Sequence, residues 1–362
     1  MQKNKKEAIR LVTKKIKLNR NEEKFDFGES IEIIRNGGLV AFPTETVYGL
    51  GGDATNPEAS KKIYAAKGRP SDNPLIVHIH DFSELEAIAS EVPEEARKLN
   101  EAFWPGPLTM IVKKNDVIPY ETTGGIDTVA VRMPSHPIAR AFLTDSNVMI
   151  AAPSANTSGR PSPTTAQHVE ADLDGKIDCI IDGGSCDIGL ESSIIDLSTD
   201  VPTILRPGYI NKEMFEEVLG KEVVIDPAIL NANANKGLRP KAPGMKYRHY
   251  APKANLTVIE GESSKVVAKI NELVEEAHKA GKKVGIIATD ETKDLYAGDC
   301  VVTVGDRNDE NSIAKHLYGV LRDFDDMDVN EIYSESFGTP KLGMAIMNRL
   351  LKAAGHQVIK VD

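Results

Sequence analysis

The sequence predicts an α/β protein in two parts: a twisted mixed sheet with flanking helices, followed by a smaller, parallel, Rossmann-like α/β domain. In the first part, short apolar runs of both central and edge-strand character alternate with helical patterns. In the last third, strands and helices alternate regularly, as in parallel βαβ units. Residues 231–253, between the two parts, are rich in Asn, Pro, Gly and basic residues, which predicts a linker. The predicted units are therefore residues 1–230, 231–253 and 254–362.

The first part opens with a basic stretch and continues with clear helix signals. Residues 1–25 are rich in Lys and Arg, and they form either an element packed on the body or an arm that binds nucleic acid. The pattern over Ser30–Asn36 predicts a helix, and Asn56 before Pro57 is a typical start for the next one. The other elements predicted in this part are the helix Pro93–Ala102 and the strands Leu39–Phe42, Leu75–Ile79, Leu108–Val112, Val129–Met133, Val148–Ala152, Cys179–Asp182, Ser193–Leu197 and Pro202–Leu205.

The C-terminal part has the alternation expected of a parallel sheet. Leu256–Ile259 and Lys283–Ala288 are apolar runs typical of buried strands, and Ser263–Ala280 between them has helical periodicity. These three segments predict one βαβ unit. The unit is extended by the predicted strands Cys300–Val304 and Glu331–Glu335 and by the predicted helices Ile313–Phe324 and Gly343–Ala354.

Composition and charge narrow the class of protein. The chain has 362 residues, of which 41% are hydrophobic and 27% charged, an ordinary composition for a globular protein with more than one domain. Its formal net charge of -10 argues against binding to nucleic acid through overall charge. The three cysteines lack metal-ligand spacing, and no apolar run reaches the length of a membrane span. We therefore expect a cytoplasmic protein with no resident metal, no disulfide framework and no membrane partner.

Two polar clusters that lie beside apolar runs point to an anion site. Lys67–Asn73 (KGRPSDN) offers two cations, a hydroxyl and an amide in one turn-like stretch, and Ser154–Asn156 follows the predicted strand Val148–Ala152. Arg supplies a planar fork that matches phosphate, and the glycine between Lys67 and Arg69 lets the backbone approach a ligand. The first cluster alone is as compatible with a solvated loop. The two together predict a site for a polyphosphate or another anion.

Two further arginines stand at the ends of predicted strands. Arg206 precedes a Pro-Gly pair, and Arg132 closes its own strand, where a structural ion pair is the alternative interpretation. Thr123–Gly125 and Asp182–Gly184 lack the spacing of a Walker or dinucleotide-binding glycine loop. A nucleotide bound here would therefore be held by side chains and strand ends.

A series of short motifs runs along the chain in a fixed order. They are Pro43–Gly51 (PTETVYGLG), Lys67–Pro70, Asn73–Leu75, Trp104–Thr109, Arg132–Pro134, Ser154–Asn156, Glu191–Ser193 and Leu205–Gly208. Each motif is weak alone, but the ordered series closely resembles the threonylcarbamoyl-AMP synthase family of YrdC-domain proteins. Ala242–Pro252 resembles the linker of the longer, two-domain branch of that family.

This resemblance implies an enzyme that makes L-threonylcarbamoyladenylate. Its substrates would be L-threonine, bicarbonate and ATP, with Mg²⁺ accompanying the ATP, and it would release pyrophosphate. The product would serve the threonylcarbamoyl modification of adenosine 37 in tRNAs that read ANN codons. The implied partners are a downstream threonylcarbamoyl transferase complex and a weak contact with tRNA.

The resemblance also implies which residues line the site. Lys67 and Arg69 would be catalytic, with Lys67 holding phosphate or bicarbonate. The implied ATP-binding residues are Arg69, Asn73, Thr128, Ser154, Asn156, Ser162, Arg206 and Tyr247. The implied threonine-binding residues are Thr46, His78, Arg132, Ala152 and Ser192. Since no residue stands out as a general base, we expect catalysis by positioning and charge neutralisation. Without the resemblance, His78 would be interpreted as a buried core histidine.

The linker carries a second hypothesis. Lys246–Tyr250 (KYRHY) is either a lid that folds over the nucleotide and excludes water or a basic surface segment that docks the two domains.

Two other functions remain open from the residues. The same basic cavity would suit an RNA-binding module, although the overall acidity and the hydroxyl residues at strand ends favour a small-molecule site. A carbamoyl-transfer domain of the hydrogenase-maturation kind would share the domain. Such proteins normally add zinc-finger and acylphosphatase modules, whose patterns this sequence does not show.

Overall fold

Two separate sheets organise the chain. The computed structural model describes residues 11–230, 240–243, 249–338 and 340–361. Over these residues, the first sheet has eleven strands of mixed direction and the second has five strands that are all parallel. The predicted fold class, a mixed sheet with flanking helices followed by a smaller parallel α/β domain, is confirmed.

The strands of the first sheet run across most of the first 225 residues. They are β1 (Lys14–Lys17), β2 (Val40–Phe42), β3 (Gly49–Asp53), β4 (Ile76–His78), β5 (Leu108–Lys113), β6 (Thr128–Arg132), β7 (Ile150–Ala151), β8 (Cys179–Asp182), β9 (Ser193–Asp196), β10 (Thr203–Arg206) and β11 (Val224–Ile225). Their order in the sheet is β1-β8-β2-β3-β7-β4-β6-β5-β9-β10-β11. Because β4 is parallel to β6, the last residues of the two strands, His78 and Arg132, are register partners at one edge of the sheet.

Helices flank this sheet. They are α1 (Ser30–Arg35), α2 (Pro57–Lys67), α3 (Phe82–Ile88), α4 (Glu94–Phe103), α5 (Pro137–Ser146), α6 (Ala166–Leu173), α7 (Lys212–Leu219) and α8 (Pro227–Leu230). Helix α2 begins as its sequence predicts, because the Asn56 side chain accepts a hydrogen bond from the Glu58 backbone N–H at 2.9 Å and Pro57 fills the first turn. It ends at Gly68, whose φ of 61° lies in the left-handed region that glycine favours.

Two strands of this sheet differ from what their sequences suggest. Strand β1 pairs in parallel with β8, so the described part of the basic N-terminal stretch is an element packed on the body. Strand β3 has three glycines among its five residues, although glycine is depleted in strands. The small residues are required there, because a Cβ on Gly51 would lie 2.6 Å from the Ile150 side chain.

The second sheet forms the C-terminal domain. Its strands and helices are β12 (Asn255–Gly261), α9 (Ser263–Lys279), β13 (Val284–Ala288), β14 (Cys300–Thr303), α10 (Glu310–Asp326), β15 (Glu331–Glu335), α11 (Gly343–Ala353) and β16 (Val358–Val361). The order in the sheet is β14-β13-β15-β12-β16. The predicted βαβ unit is present as two parallel strands joined by α9, but β15 lies between them.

The two domains pack against each other through an apolar cluster. Val47 and Leu190 of the first domain lie in the same buried cluster as Leu317 and Tyr318 of α10. Tyr250, at the end of the predicted linker, joins this cluster. This packing brings α10 and α11 next to loops of the first domain.

Some of the predicted boundaries stay predictions. Residues 231–239 and 244–248 lie outside the described residues, so the limits of the linker at 231 and 253 are untested. In the described ranges, no helix combines the length and the apolar character needed to cross a membrane.

Candidate active site

A cleft opens where several strands of the first sheet end. The residues that line it come from the end of α2, from β4, β6 and β10, from the loop after β7, and from His249 and Tyr250. Its charged side chains are Lys67, Arg69, Arg132, Arg160, Glu191 and Arg206. Cations therefore outnumber the single lining carboxylate in the part of the chain that the structure describes.

Lys67 joins the two polar clusters of the sequence. It is the last residue of α2 and is only 2% exposed. Its Nζ donates hydrogen bonds to the carbonyl oxygens of Ser154 and Asn156, both at 2.5 Å. Burial and the neighbouring Arg69 guanidinium lower the pKa of Lys67 well below its ordinary value. Since both acceptors are neutral carbonyls, the lysine charge is compensated by dipoles and not by a carboxylate.

Arg69 is held in a similar way. After the turn at Gly68, its guanidinium donates to the carbonyl oxygens of Asn73 at 3.3 Å and Pro74 at 3.0 Å. Burial lowers the pKa of Arg69 to about 10, so the side chain stays protonated at neutral pH. A buried guanidinium with only carbonyl partners retains its affinity for an anion.

The loop after β7 is a compact hydrogen-bonded turn. Ser154 Oγ donates to Asn156 Oδ1 at 2.6 Å, and the Asn156 amide donates to the carbonyl oxygens of Thr157 at 2.8 Å and Arg160 at 2.9 Å. The Ser158 N–H donates to the Lys67 carbonyl oxygen at 2.8 Å. These bonds fix the serine hydroxyls at the mouth of the cleft before any ligand binds.

Arg132 and His78 form the β4–β6 side of the cleft. Arg132 donates to Thr46 Oγ1 at 2.8 Å and forms a buried ion pair with Glu45 at 2.8 Å. His78 Nδ1 donates a hydrogen bond to the Ile76 carbonyl oxygen at 3.1 Å. Burial and then the Arg132 charge lower the pKa of His78 to about 3, so this ring is neutral at pH 7.

Arg206 and Ser192 form the β9–β10 side. Arg206 Nε donates to the Ser192 carbonyl oxygen at 2.9 Å, and its Nη2 donates to Ser192 Oγ at 3.1 Å. Ser192 Oγ also bonds Thr109 Oγ1 at 2.7 Å. The two neutral oxygens of Ser192 thus hold the Arg206 guanidinium in place at the end of the strand.

Glu191 is the acidic exception in this lining, and its two oxygens are occupied. Oε1 accepts from Ser162 Oγ at 2.6 Å, and Oε2 accepts from Tyr318 OH at 2.9 Å and from Arg349 Nε at 3.1 Å. Burial alone would raise the pKa of Glu191, but the guanidiniums of Arg349 and Arg206 hold it at about 2. The group is therefore a fully ionised carboxylate with cations on both sides.

Part of the predicted lid segment also reaches the cleft. His249 and Tyr250 line it, and the Tyr250 ring lies 5.1 Å from the Tyr318 ring, centroid to centroid. Burial lowers the pKa of His249 to about 3. Lys246 and Tyr247 lie outside the described residues, so the lid and the ATP contact of Tyr247 stay predictions.

The arrangement suits a multiply charged anion. Among the described residues, no carboxylate forms an ion pair with Lys67, Arg69 or Arg206, whereas Arg132 is paired with Glu45. The same residues contain no group of three or more His, Cys, Asp or Glu side chains able to hold a metal ion. The cleft can therefore bind and orient anionic groups by charge and hydrogen bonding.

Comparison with known proteins shows which family the chain resembles. Residues 32–208 match the family model of Sua5, YciO and YrdC, described as telomere recombination, and residues 210–355 match the threonylcarbamoyl-AMP synthase C-terminal domain. A threonylcarbamoyl-AMP synthase of Pyrococcus abyssi is 52% identical over 91% of this chain and 94% of its own length. The chain belongs to the threonylcarbamoyl-AMP synthase family. A Bacillus subtilis member of the family is 48% identical over 92% of this chain and 94% of its own length.

Solved structures agree with this family. A double-alanine variant of P. abyssi Sua5 matches with a TM-score of 0.91 at 48% identity, covering 97% of this chain and 98% of that one. P. abyssi Sua5 in complex with L-threonine matches with a TM-score of 0.89 at 47% identity, covering 97% of this chain and 100% of that one. The predicted threonylcarbamoyl-AMP synthase family and its two-domain type are confirmed.

The structure brings most of the predicted site residues to one cleft. Those that line it are Lys67, Arg69, His78, Arg132, Ala152, Ser154, Asn156, Ser162, Ser192 and Arg206. Thr46 lies behind Arg132, and Asn73 lies behind Arg69. Thr128 begins β6, opposite Lys113, about 13 Å along the strand from Arg132. The ligand assigned to each residue stays a prediction.

The sequence analysis did not assign Glu191, Tyr318 or Arg349 to the site. Glu191 lies in one of the quoted motifs, but an acid is not expected in an anion site. Arg349 had a usable signal, because Ile346, Leu350 and Ala353 place it on the buried face of α11 by helical spacing. An arginine on such a face predicts a buried partner.

Proposed function

We propose that this chain is an L-threonylcarbamoyladenylate synthase, which joins L-threonine, bicarbonate and ATP and releases pyrophosphate. The observation that carries the proposal is one cleft lined by the buried Lys67 and Arg206 and the half-buried Arg69, three cations without a carboxylate ion pair among the described residues. Membership of the threonylcarbamoyl-AMP synthase family supports the same reaction.

The proposed chemistry has two steps that balance. The threonine amine attacks bicarbonate and gives a carbamate with loss of water, and a carbamate oxygen then attacks the α-phosphorus of ATP and displaces pyrophosphate. Both partners of each step are anionic or become so. Fixed cations reduce their mutual repulsion and hold them in line, which is the contribution expected of Lys67 and Arg69.

The two sides of the cleft suit different substrates. Arg69 supplies donors for the nucleotide, the loop from Ser154 to Ser162 supplies further polar groups, and Arg206 and Asn156 extend this side. We assign Arg132, His78 and Ser192, with Thr46 behind them, to threonine. A neutral His78 ring can hydrogen bond a substrate without adding charge. Asn73, Thr128 and Tyr247 keep the ATP-binding roles that the resemblance implies.

Mg²⁺ is expected to arrive with ATP and to be held by phosphate oxygens and water. The described lining offers Mg²⁺ no open carboxylate, since both oxygens of Glu191 accept hydrogen bonds from Ser162, Tyr318 and Arg349. Arrival of the ion with its phosphates is the usual alternative to a protein cage.

The product would pass to a threonylcarbamoyl transferase complex that modifies adenosine 37 of tRNAs reading ANN codons. We propose a cytoplasmic location because ATP and tRNA meet there. A weak contact with tRNA would assist the transfer. None of these roles requires a further site on the chain.

We also propose that Lys246–Tyr250 covers the occupied cleft. His249 and Tyr250 already contribute to the lining, which supports a cover that continues from them. In a Tyr247→Ala variant, we expect faster escape of the labile product, measured as its rate of appearance and hydrolysis in solution. An escape rate equal to that of the parent protein would contradict the lid.

The direct test is pyrophosphate release from ATP with and without threonine and bicarbonate, combined with mass spectrometry of the nucleotide product. We expect release that requires all three substrates and a product with the mass of threonylcarbamoyladenylate. Release that is independent of threonine would contradict the proposal. Tight RNA binding without any pyrophosphate release would favour the RNA-binding alternative.

A further inference from the structure

Two side chains of the C-terminal domain contact Glu191, which lines the cleft. Arg349 of α11 is 0% exposed, and it donates to the Glu191 carboxylate, to the Glu191 carbonyl oxygen at 3.3 Å and to the Pro207 carbonyl oxygen. Tyr318 of α10 donates to the same carboxylate. Arg349 thus contacts the first domain at Glu191 and at Pro207, which follows Arg206, and Tyr318 contacts it at Glu191.

These contacts determine what Ser162 can do. An ionised carboxylate only accepts hydrogen bonds, so the 2.6 Å bond between Ser162 and Glu191 must use the serine proton. The Ser162 oxygen is left as an acceptor on the cleft side. It can therefore accept from an amino or hydroxyl group of a nucleotide, and it has no proton to offer a phosphate oxygen.

These contacts also determine the local charge. A bare carboxylate in a cleft built for anions would repel the ligand, and removing the partner of a buried charge leaves that charge uncompensated. Arg349 donates to the Glu191 carboxylate, and the guanidiniums of Arg349 and Arg206 keep this carboxylate ionised despite its burial. Pairing with Arg349 therefore lets Glu191 accept hydrogen bonds in the site without giving the site a net negative charge.

We propose that Arg349 and Tyr318 are positioning residues for ATP, through which the C-terminal domain completes the nucleotide site of the first domain. This inference rests on the proposed function for the identity of the ligand. Arg349 neutralises Glu191 and anchors Pro207 next to Arg206. Tyr318 holds the carboxylate in the orientation that commits the Ser162 proton.

A purely structural role would give a different result from this one. If the two residues only dock the domains, their loss lowers the free energy of unfolding and leaves the affinity of the folded protein for ATP unchanged. A positioning role predicts weaker ATP binding in a protein that remains folded. The test is the Kd for ATP with Mg²⁺, without threonine or bicarbonate, measured by calorimetry on the full chain.

The variants are chosen to separate charge from shape. Arg349→Met is expected to raise the Kd for ATP about tenfold or more, and Arg349→Lys is expected to recover part of that loss because it restores the charge. Tyr318→Phe removes one hydroxyl and is expected to raise the Kd about threefold to tenfold. The matched control is Tyr296→Phe, which removes a hydroxyl bonded at 2.7 Å to a buried carboxylate of the same domain, Glu335, away from the cleft. Its Kd should not change.

A rescue experiment adds a second readout. In the Arg349→Met protein, Glu191→Gln replaces the uncompensated charge with a neutral amide, so the double variant should bind ATP more tightly than Arg349→Met alone. A Kd unchanged in folded Arg349→Met and in Tyr318→Phe would overturn the inference. If Arg349→Met fails to fold, the comparison of Tyr318→Phe with Tyr296→Phe decides.

The same measurements separate this inference from the proposed function. A parent protein that binds ATP but releases no pyrophosphate with threonine and bicarbonate overturns the synthase proposal, and the series of Kd values still decides the role of Arg349. A parent protein that does not bind ATP overturns both.

Discussion

The charged groups beside the two sheets are arranged in opposite ways. In the first domain, Lys67, Arg69 and Arg206 donate to neutral oxygens and face a cleft. In the C-terminal domain, Glu335 at the end of β15 accepts from Tyr296 at 2.7 Å and from Thr292, and it pairs with Arg307. The cations of the first group are available to an anionic ligand, whereas the charges of the second group are paired with each other.

This difference teaches how to recognise a site among polar strand ends. Both domains have buried hydroxyls and an arginine beside a strand end, so residue types alone do not distinguish them. The balance of charge does, because a paired carboxylate and guanidinium stabilise the fold and buried cations without a carboxylate ion pair are poised for an anion.

The largest effect is expected on turnover, when a cation that has no carboxylate partner is removed. Arg69→Ala should lower threonine-dependent pyrophosphate release by about a thousandfold, because a preorganised donor to developing charge is lost. The matched control is Arg307→Ala, an arginine paired within the other domain, which should change turnover by less than about twofold. Circular dichroism shows whether each variant is folded. Comparable losses in the two folded variants would refute the distinction.

The paired charges around Glu335 should instead contribute to the free energy of unfolding. Glu335→Ala leaves the Arg307 charge without its carboxylate, and it should lower the free energy of unfolding by about 3 kcal/mol in urea titrations. Turnover of the remaining folded protein should stay within about twofold of the parent value. A large loss of turnover per folded molecule would show that the C-terminal strand ends also act on the reaction.

The cleft should also make stability depend on pH through His78. Its pKa is about 3 in the folded protein and 6.5 in the ordinary state, so the unfolded chain takes up the proton first as the pH falls. Stability is complete above pH 6.5 and decreases below it, by up to about 1.4 kcal/mol per pH unit from this group. His78→Gln should flatten the unfolding free energy between pH 6 and 4.5 by about that slope. An unchanged slope would mean that His78 is not held neutral.

The smallest effect is expected at a helix cap far from either set of strand ends. Asn56→Ala removes the side-chain acceptor of the Glu58 N–H, and it should cost about 1 kcal/mol of stability. Turnover should be unaffected, because α2 still ends at the same Gly68. Thermal unfolding and pyrophosphate release on one preparation test both statements, and a loss of turnover at an unchanged unfolding temperature would contradict them.

Much of this fold could be predicted because local signals agreed with the tertiary structure. The cap at Asn56 and the apolar runs of β8 and β15 are examples, and the last two have the predicted bounds. Strand β3 could not be found in this way, since Gly51 is required by the close approach of Ile150, a contact from a distant part of the sequence. Strand propensity depends on the residue itself, whereas the need for glycine here comes from a residue that packs against it.

The candidate site shows the same limit. Motifs carried the prediction for residues such as Lys67 and Ser154, which stand in short recognisable stretches. The role of Arg349 depends on a contact with Glu191 across 158 positions of the chain, and no local pattern encodes such a contact. An arginine on the buried face of a helix indicates that it has a buried partner, but it does not identify that partner.

The place of β15 in the C-terminal sheet has a consequence for how the protein is made. Strands β12 and β13 emerge from the ribosome first but cannot pair with each other, because β15, made some forty residues after β13, occupies the position between them. Such long-range pairing is slow and tends to come late in folding. Arg349 follows β15 in the chain, so the cation that balances Glu191 is made only after all the strands of the first sheet. A nascent chain would therefore hold the first domain's cations well before it holds a finished cleft, and a stalled or truncated product would lack the balancing arginine.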